Sequence, residues 1–286
     1  MILKGCKVVL NTFYSKLVFF FLLPLLFMNA KAETVVVSAA ASLAPALTQI
    51  QTIFEQKTGH KIVLNHAASS VLARQIVYGF DSHLFLSANK KWLDYLVQYK
   101  QLAHTDTVTI HGAVPIIANQ LVLAQTLRQT NNAPMLQGES ISEKLQSLLQ
   151  YNEPLAVGDI NYVPLGEYTK QTLESVDLFA DFDGKLILAN NARSALAFIE
   201  KGQVNFGIIY LSDANQSNNV RIVQKIPSIL HDNIHYYLAK VTTNKNSASI
   251  AVDAFYQFLQ SDTALHIFLE NGFLAPIFTN SVTKTQ

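Results

Sequence analysis

Four places in this chain put small or hydroxylated residues directly after an apolar, β-rich run and directly before a helical pattern: Ser38-Ala-Ala-Ala-Ser42, Ala67-Ala-Ser-Ser70, Val163-Pro-Leu-Gly166 and Asn190-Asn-Ala192. The first turn of a helix presents backbone N–H groups with no intrahelical acceptor and the positive end of the helix dipole. Several such turns aimed at one point form an anion site without any cationic side chain. The chemistry suggested is capture of an oxyanion, with the Ser42 and Ser69 hydroxyls as added donors. Tyr210, closing the apolar run Phe206-Gly-Ile-Ile, offers one more hydroxyl. A plainer reading stands beside this one. A serine at a helix start commonly caps it, Ser42 at the N-cap of the helix from Leu43 and Asn191 at that of the helix from Ala192, and a tyrosine at a strand end commonly packs.

Other chemistries find no support. The eight histidines are scattered without metal-ligand spacing, and there is no glycine-rich phosphate loop, no His-Glu-x-x-His and no Gly-x-Ser-x-Gly. A serine hydrolase built on Ser42 or Ser69 is the alternative from another functional class, and it lacks both a nucleophile elbow and a partnered base.

The elements that must position these junctions can be read from periodicity. Thr34 to Ala39 forms a buried strand, Leu43 to Lys57 an amphipathic helix, Lys61 to Asn65 a strand, Val71 to Val77 a helix, Leu84 to Ser87 a strand and Trp92 to Val97 a helix. That alternation predicts a parallel sheet covered by helices. After Gln101 the pattern loosens, and Gln129 to Ser140 reads as surface loop. Strands resume at Leu155, Lys185, Phe206, Val220 and His235, helical patterns separate the first three, and two helices carrying Phe255, Phe258, Leu265 and Phe268 close the chain. Two α/β lobes follow; periodicity leaves their connectivity open.

Lys4, Lys7 and Lys16 precede an apolar run from Leu17 to Met28 and an Ala30-x-Ala32 tripeptide, which reads as a signal peptide over residues 1–32. The run is short for a membrane span, so an uncleaved anchor is the lesser alternative. Cys6, the single cysteine, leaves with the peptide. Disulfides and thiolate chemistry are thereby excluded from the mature chain. Removing the peptide takes four lysines from the 21 basic residues and leaves 17 against 20 acidic ones, a net −3 that argues against a nucleic-acid partner.

Taken together, Ala39-Ala-Ala-Ser-Leu43, Ala68-Ser-Ser70 with Leu72-Ala-Arg-Gln, Leu84-Phe-Leu-Ser-Ala-Asn with Trp92-Leu-Asp-Tyr, Leu155-Ala-Val-Gly-Asp with Val163-Pro-Leu-Gly-Glu-Tyr, Gly207-Ile-Ile-Tyr and Ser212-Asp-Ala resemble the periplasmic molybdate-binding components of ABC transporters, members of the type II solute-binding fold. The resemblance implies two lobes, each a mixed, mainly parallel sheet flanked by helices, with the ligand in the cleft. The first lobe would hold residues 33–112 and 236–286 and the second 113–235, with crossings near Gly112 and His235. It further implies a non-enzymatic, monomeric receptor without cofactor that delivers molybdate, and also tungstate, to a membrane permease. The anion would be held by Ser42 and Ser69 from one lobe and by Leu165 N–H, Ala192 N–H and the Tyr210 hydroxyl from the other. The remaining alternative within the class is a receptor for sulfate, phosphate or another tetrahedral oxyanion. Three positions depart from the family pattern: His83 where an acidic residue is usual, Leu165 where alanine is common, and Ala192 where valine is common.

Overall fold

The computed structural model describes residues 32–103, 108–128, 133–243 and 249–276; the expected signal peptide lies outside them but for Ala32. The described residues from Thr34 onward belong to one compact unit, built on two five-stranded sheets. The first contains β1 (Thr34–Ala40), β2 (Lys61–Ala67), β3 (Leu84–Ser87), β4 (Val108–Asn119) and β10 (Ile234–Thr243), in the order β2-β1-β3-β10-β4. The second contains β5 (Leu121–Thr126), β6 (Leu155–Gly158), β7 (Leu186–Ala189), β8 (Phe206–Tyr210) and β9 (Val220–Lys225), in the order β7-β6-β8-β5-β9. Each sheet is mixed, with two parallel and two antiparallel pairings rather than the parallel majority expected.

Helices connect the parallel strands, as such connections require. In the first lobe these are α1 (Ala44–Thr58), α2 (Ser69–Val77) and α3 (Lys91–Ala103). In the second, α4 (Ile141–Gln150) joins the oppositely directed β5 and β6, and the connections between parallel strands are α5 (Pro164–Ser175), α6 (Ala192–Glu200) and the single turn α7 (Leu211–Asn215). The chain ends in α8 (Ile250–Phe258) and α9 (Asp262–Glu270), with α9 packed on α1 and α8 on β1. Local chemistry sets the boundaries. Pro45 sits in the first turn of α1, where its missing N–H costs nothing. Gly59 ends that helix at φ 75°, its N–H donating to the Glu55 carbonyl. Ser140 and Glu143 form a reciprocal capping box at the start of α4, so the polar stretch read as loop gives way at Ile141 to a helix that the sequence reading did not assign.

The first passage between sheets is also displaced. Gly112, where a crossing was expected, lies inside β4, which continues in the first sheet to Asn119. A single residue, Gln120, separates it from β5 of the second sheet. The return runs from Lys225 to Ile234. Among the described residues no helix is long and apolar enough to cross a membrane.

Candidate functional site

All five residues singled out above lie at the C-terminal ends of strands that form the parallel parts of the two sheets, or on the first turn of the helix that follows. This is the edge at which open α/β sheets bind ligands. Ser42 follows β1 in a one-turn 3-10 helix, Ala41–Leu43, and is 1% exposed. It does not cap α1: the N-cap is Leu43, and no side chain bonds the first-turn N–H groups there. The Ser42 hydroxyl lies instead 2.8 Å from the Tyr236 hydroxyl. Ser69, also 1% exposed, is the first residue of α2 and likewise caps nothing. Its oxygen accepts from the Ala88 N–H at 3.0 Å. An N–H can only donate, so the Ser69 proton is left to point elsewhere.

On the second lobe, Leu165 occupies the second position of α5 behind Pro164 and is fully buried. A glycine pair seats this helix. A Cβ on Gly166 would stand 2.3 Å from the carbonyl oxygens of Gly158 and Asp159, so only glycine lets the start of α5 settle onto the end of β6. Ala192 is the first residue of α6, where the Asn191 side chain accepts from the Ser194 N–H at 2.9 Å, the cap read from the sequence. That bond satisfies the third N–H of the helix; those of Ala192 and Arg193 precede it and have no intrahelical acceptor. Tyr210 closes β8 at 1% exposure, and its hydroxyl has no hydrogen-bond partner among the described residues. Burial, reinforced by neighbouring Tyr236, pushes the Tyr210 phenol well above its ordinary range. It is therefore a neutral O–H at any physiological pH, able to donate.

The two edges meet. The Tyr236 ring, whose hydroxyl touches Ser42, packs edge-on against the Tyr210 ring at 6.1 Å between centroids. The 3-10 turn bearing Ser42 contacts α6, the helix that Ala192 begins. Ala88, which donates to Ser69, accepts from the Tyr168 hydroxyl of α5 at 3.3 Å. Further out, Asn89 and Lys91 reach Glu167 at 3.3 and 3.0 Å, and the Arg74 guanidinium stands 5.4 Å from the Trp92 ring of its own lobe and 5.8 Å from the Tyr162 ring of the other. The lobes are thus closed upon each other, and the donors sit behind these contacts.

Among the described residues no lysine or arginine is buried. Arg193, next to Ala192, pairs with the wholly buried Asp213 of α7 at 3.0 Å. Among the described residues no three His, Cys, Asp or Glu side chains are placed to hold a metal ion. The cleft can therefore offer hydroxyl protons and helix-start N–H groups, which is chemistry for binding an acceptor-rich anion. Tyr236 and Asn119 were missed from sequence. Tyr236 carried a readable signal, since in a strand with period two one of Tyr236 and Tyr237 must face inward; Asn119 carried none. Of the departing positions, His83 proves remote: its Nδ1 accepts from the Val36 N–H at 2.9 Å near the opposite end of β1, doing there what a carboxylate could do.

The sequence profile of bacterial extracellular solute-binding proteins matches residues 35–274. The chain belongs to that family. It is therefore a transport receptor and not a hydrolase. It is 36% identical to the molybdate-binding protein ModA of Escherichia coli over 86% of this chain and 91% of that protein, and 31% identical to the ModA of Haemophilus influenzae over 87% and 93%. Among solved structures, the periplasmic molybdate-binding protein of Azotobacter vinelandii superposes with a TM-score of 0.69 at 18% identity, over 85% of this chain and all of that one. The sulfate-binding protein SubI of Mycobacterium tuberculosis superposes at 0.61 with 14% identity, over 84% and 86%. The two-lobed fold is common to both, so the fold alone does not choose the anion.

Proposed function

We propose that this chain is the molybdate receptor of an ABC transporter: Ser42, Ser69, the N–H groups of Leu165 and Ala192, and the Tyr210 hydroxyl close around molybdate or tungstate, and the closed form delivers it to a membrane permease. The lobes carrying this function are the units of the two sheets, residues 34–119 with 234–276, and 121–225. Residues 1–32 act as a secretion signal that places a monomeric mature chain in the periplasm. The observation that carries the reading is the fully buried Tyr210 hydroxyl, which has no hydrogen-bond partner among the described residues, beside two buried serines that do not serve as caps. A buried O–H left without an acceptor costs roughly 1–3 kcal/mol, and an oxyanion removes that cost. Molybdate is favoured over sulfate by the two ModA relatives, both above 30% identity across most of the chain. Phosphate is disfavoured because near neutral pH it keeps a proton, which only a hydroxyl turned from donor to acceptor could take.

Calorimetric titration of the mature chain with molybdate, tungstate, sulfate and phosphate tests the assignment. Molybdate and tungstate should bind with similar affinity and far more tightly than the other two. Sulfate binding as tight as molybdate binding would remove the assignment and leave the fold untouched.

A further inference from the structure

Ser42 can serve an anion only if its proton points into the cleft, and its one hydrogen-bond partner, the Tyr236 hydroxyl, could equally donate or accept. The direction is decided two residues away. Asn119, 7% exposed at the end of β4, has its Oδ1 against two backbone N–H groups, Gln120 at 2.9 Å and Ser212 at 3.4 Å. Backbone N–H groups only donate, so this end of the amide is the oxygen and the other end is the NH2. The NH2 group faces Ser212 Oγ at 2.8 Å and Tyr236 Oη at 3.4 Å. One of its protons thus occupies the Tyr236 oxygen, and the Tyr236 proton goes to Ser42 Oγ at 2.8 Å rather than to the neighbouring Tyr210 hydroxyl, which lies outside hydrogen-bond distance. Ser42, having accepted, must donate elsewhere. Ser69 is oriented the same way by the Ala88 N–H.

Resting on the anion reading above, we infer that Asn119 and Tyr236 are positioning residues that fix the Ser42 hydroxyl as a donor, through the chain Asn119 Nδ2–H to Tyr236 Oη–H to Ser42 Oγ–H to ligand. Chains of this kind polarise each member and strengthen the terminal donor. Asn119 directly precedes Gln120, where the protein passes between lobes, and its partner Ser212 follows Tyr210 by two residues in the second lobe. The same amide therefore spans from the hinge to both halves of the site.

Asn119→Asp keeps the shape and puts an acceptor where the NH2 stood. Tyr236 then donates toward position 119, Ser42 donates to Tyr236, and the anion loses its donor. Molybdate affinity, measured by calorimetry on the mature chain, should fall roughly tenfold or more, the usual effect of losing one hydrogen bond to a charged group. Adding Tyr236→Phe to that variant frees Ser42 again and should recover affinity by about threefold or more, although the same change in the unaltered chain should slightly weaken binding. A merely structural Asn119 predicts equal losses with and without the Tyr236 hydroxyl, and that result, or unchanged affinity in Asn119→Asp, overturns the inference. If Asn119→Asp does not fold, Tyr236→Phe is compared in the wild-type and Ser42→Ala backgrounds. The inference requires its weakening to vanish without Ser42, and equal weakening in both refutes it. Failure of the unmodified chain to bind molybdate at all would instead defeat the functional assignment on which this rests.

Discussion

Tyr210→Phe keeps a ring packed against Tyr236 and deletes one hydroxyl that has no hydrogen-bond partner among the described residues. If that hydroxyl serves the anion, affinity should drop by roughly 1.5–3 kcal/mol, the range for a hydrogen bond to a charged group, while the ligand-free protein melts at nearly the same temperature or slightly higher. Melting curves with and without molybdate separate the two effects, because bound ligand raises stability with the logarithm of its concentration over Kd. A ligand-induced shift as large in the variant as in the wild type would exclude Tyr210 from the site. At this scale the sequence was informative about hydroxyls and uninformative about backbone. Ser42, Ser69 and Tyr210 could be picked out by type and place. Even so, the capping role that competed for Ser42 could be dismissed only by seeing Leu43 in the N-cap position and Ser42 against Tyr236. Leu165 and Ala192 entered through family resemblance, since a backbone N–H leaves no trace in the identity of its side chain. The orientation of Asn119 is set by the N–H groups of Gln120 beside it and of Ser212 far along the chain, and its use depends on Tyr236, so no local pattern announces it.

The start of α5 rests on the end of β6 only because two glycines face each other. Gly166→Ala would drive a Cβ to 2.3 Å from two main-chain carbonyl oxygens, which cannot turn aside as a side chain can. The helix start must lift, carrying the Leu165 N–H with it. We expect a stability loss of roughly 1–3 kcal/mol, typical of overpacking, together with weaker molybdate binding, measured by denaturant unfolding and calorimetry on the same sample. Unchanged affinity would show that Leu165 contributes no donor. Most elements were visible as periodic runs, but β4, β5, α4 and the single turn α7 were not assigned. β4 carries Gly112 and Pro115 within its length, both unfavourable to a strand reading. β5 is buried at every one of its six positions, so it has no alternation to detect. Its place is settled by antiparallel pairing with β8 and β9, about 80 to 100 residues away in sequence. The helix α4 did carry a local signal, the Ser140-x-x-Glu143 capping box ahead of an apolar face, which the surrounding polar residues obscured.

For the molecule as a whole, two α/β lobes were readable, and the point of passage between them was not, because β4 and β5 flank it and neither announces itself. Global stability should carry the mark of one residue near that passage. Burial pushes the Asp213 carboxyl up from 3.8 to about 6, against the opposing pull of Arg193. Between those values the folded protein keeps a proton that the unfolded chain has released, so the contribution of this group to stability falls as pH rises through the window and is level above it. Asp213→Asn does not titrate. Its stability relative to wild type should therefore climb across the same window and then flatten, as followed by urea unfolding at a series of pH values; a difference that stays flat or runs downward would refute the assignment of the shift to Asp213. A mechanical consequence follows from the passage itself. Gln120 is one residue long, its carbonyl is held by the Leu211 N–H, and the returning chain runs beside it, with Ile226 bonded to Leu121 and Ile234 opposite Asn119. A joint so short cannot stretch or slide, so the lobes can part only by turning about it. It acts as the fulcrum of a lever, and any such rotation must part the Lys91–Glu167 pair that now joins the two lobes. Lengthening the chain at Gln120 would turn that fulcrum into a slack tether and lose the fixed arc along which the two halves of the site come together.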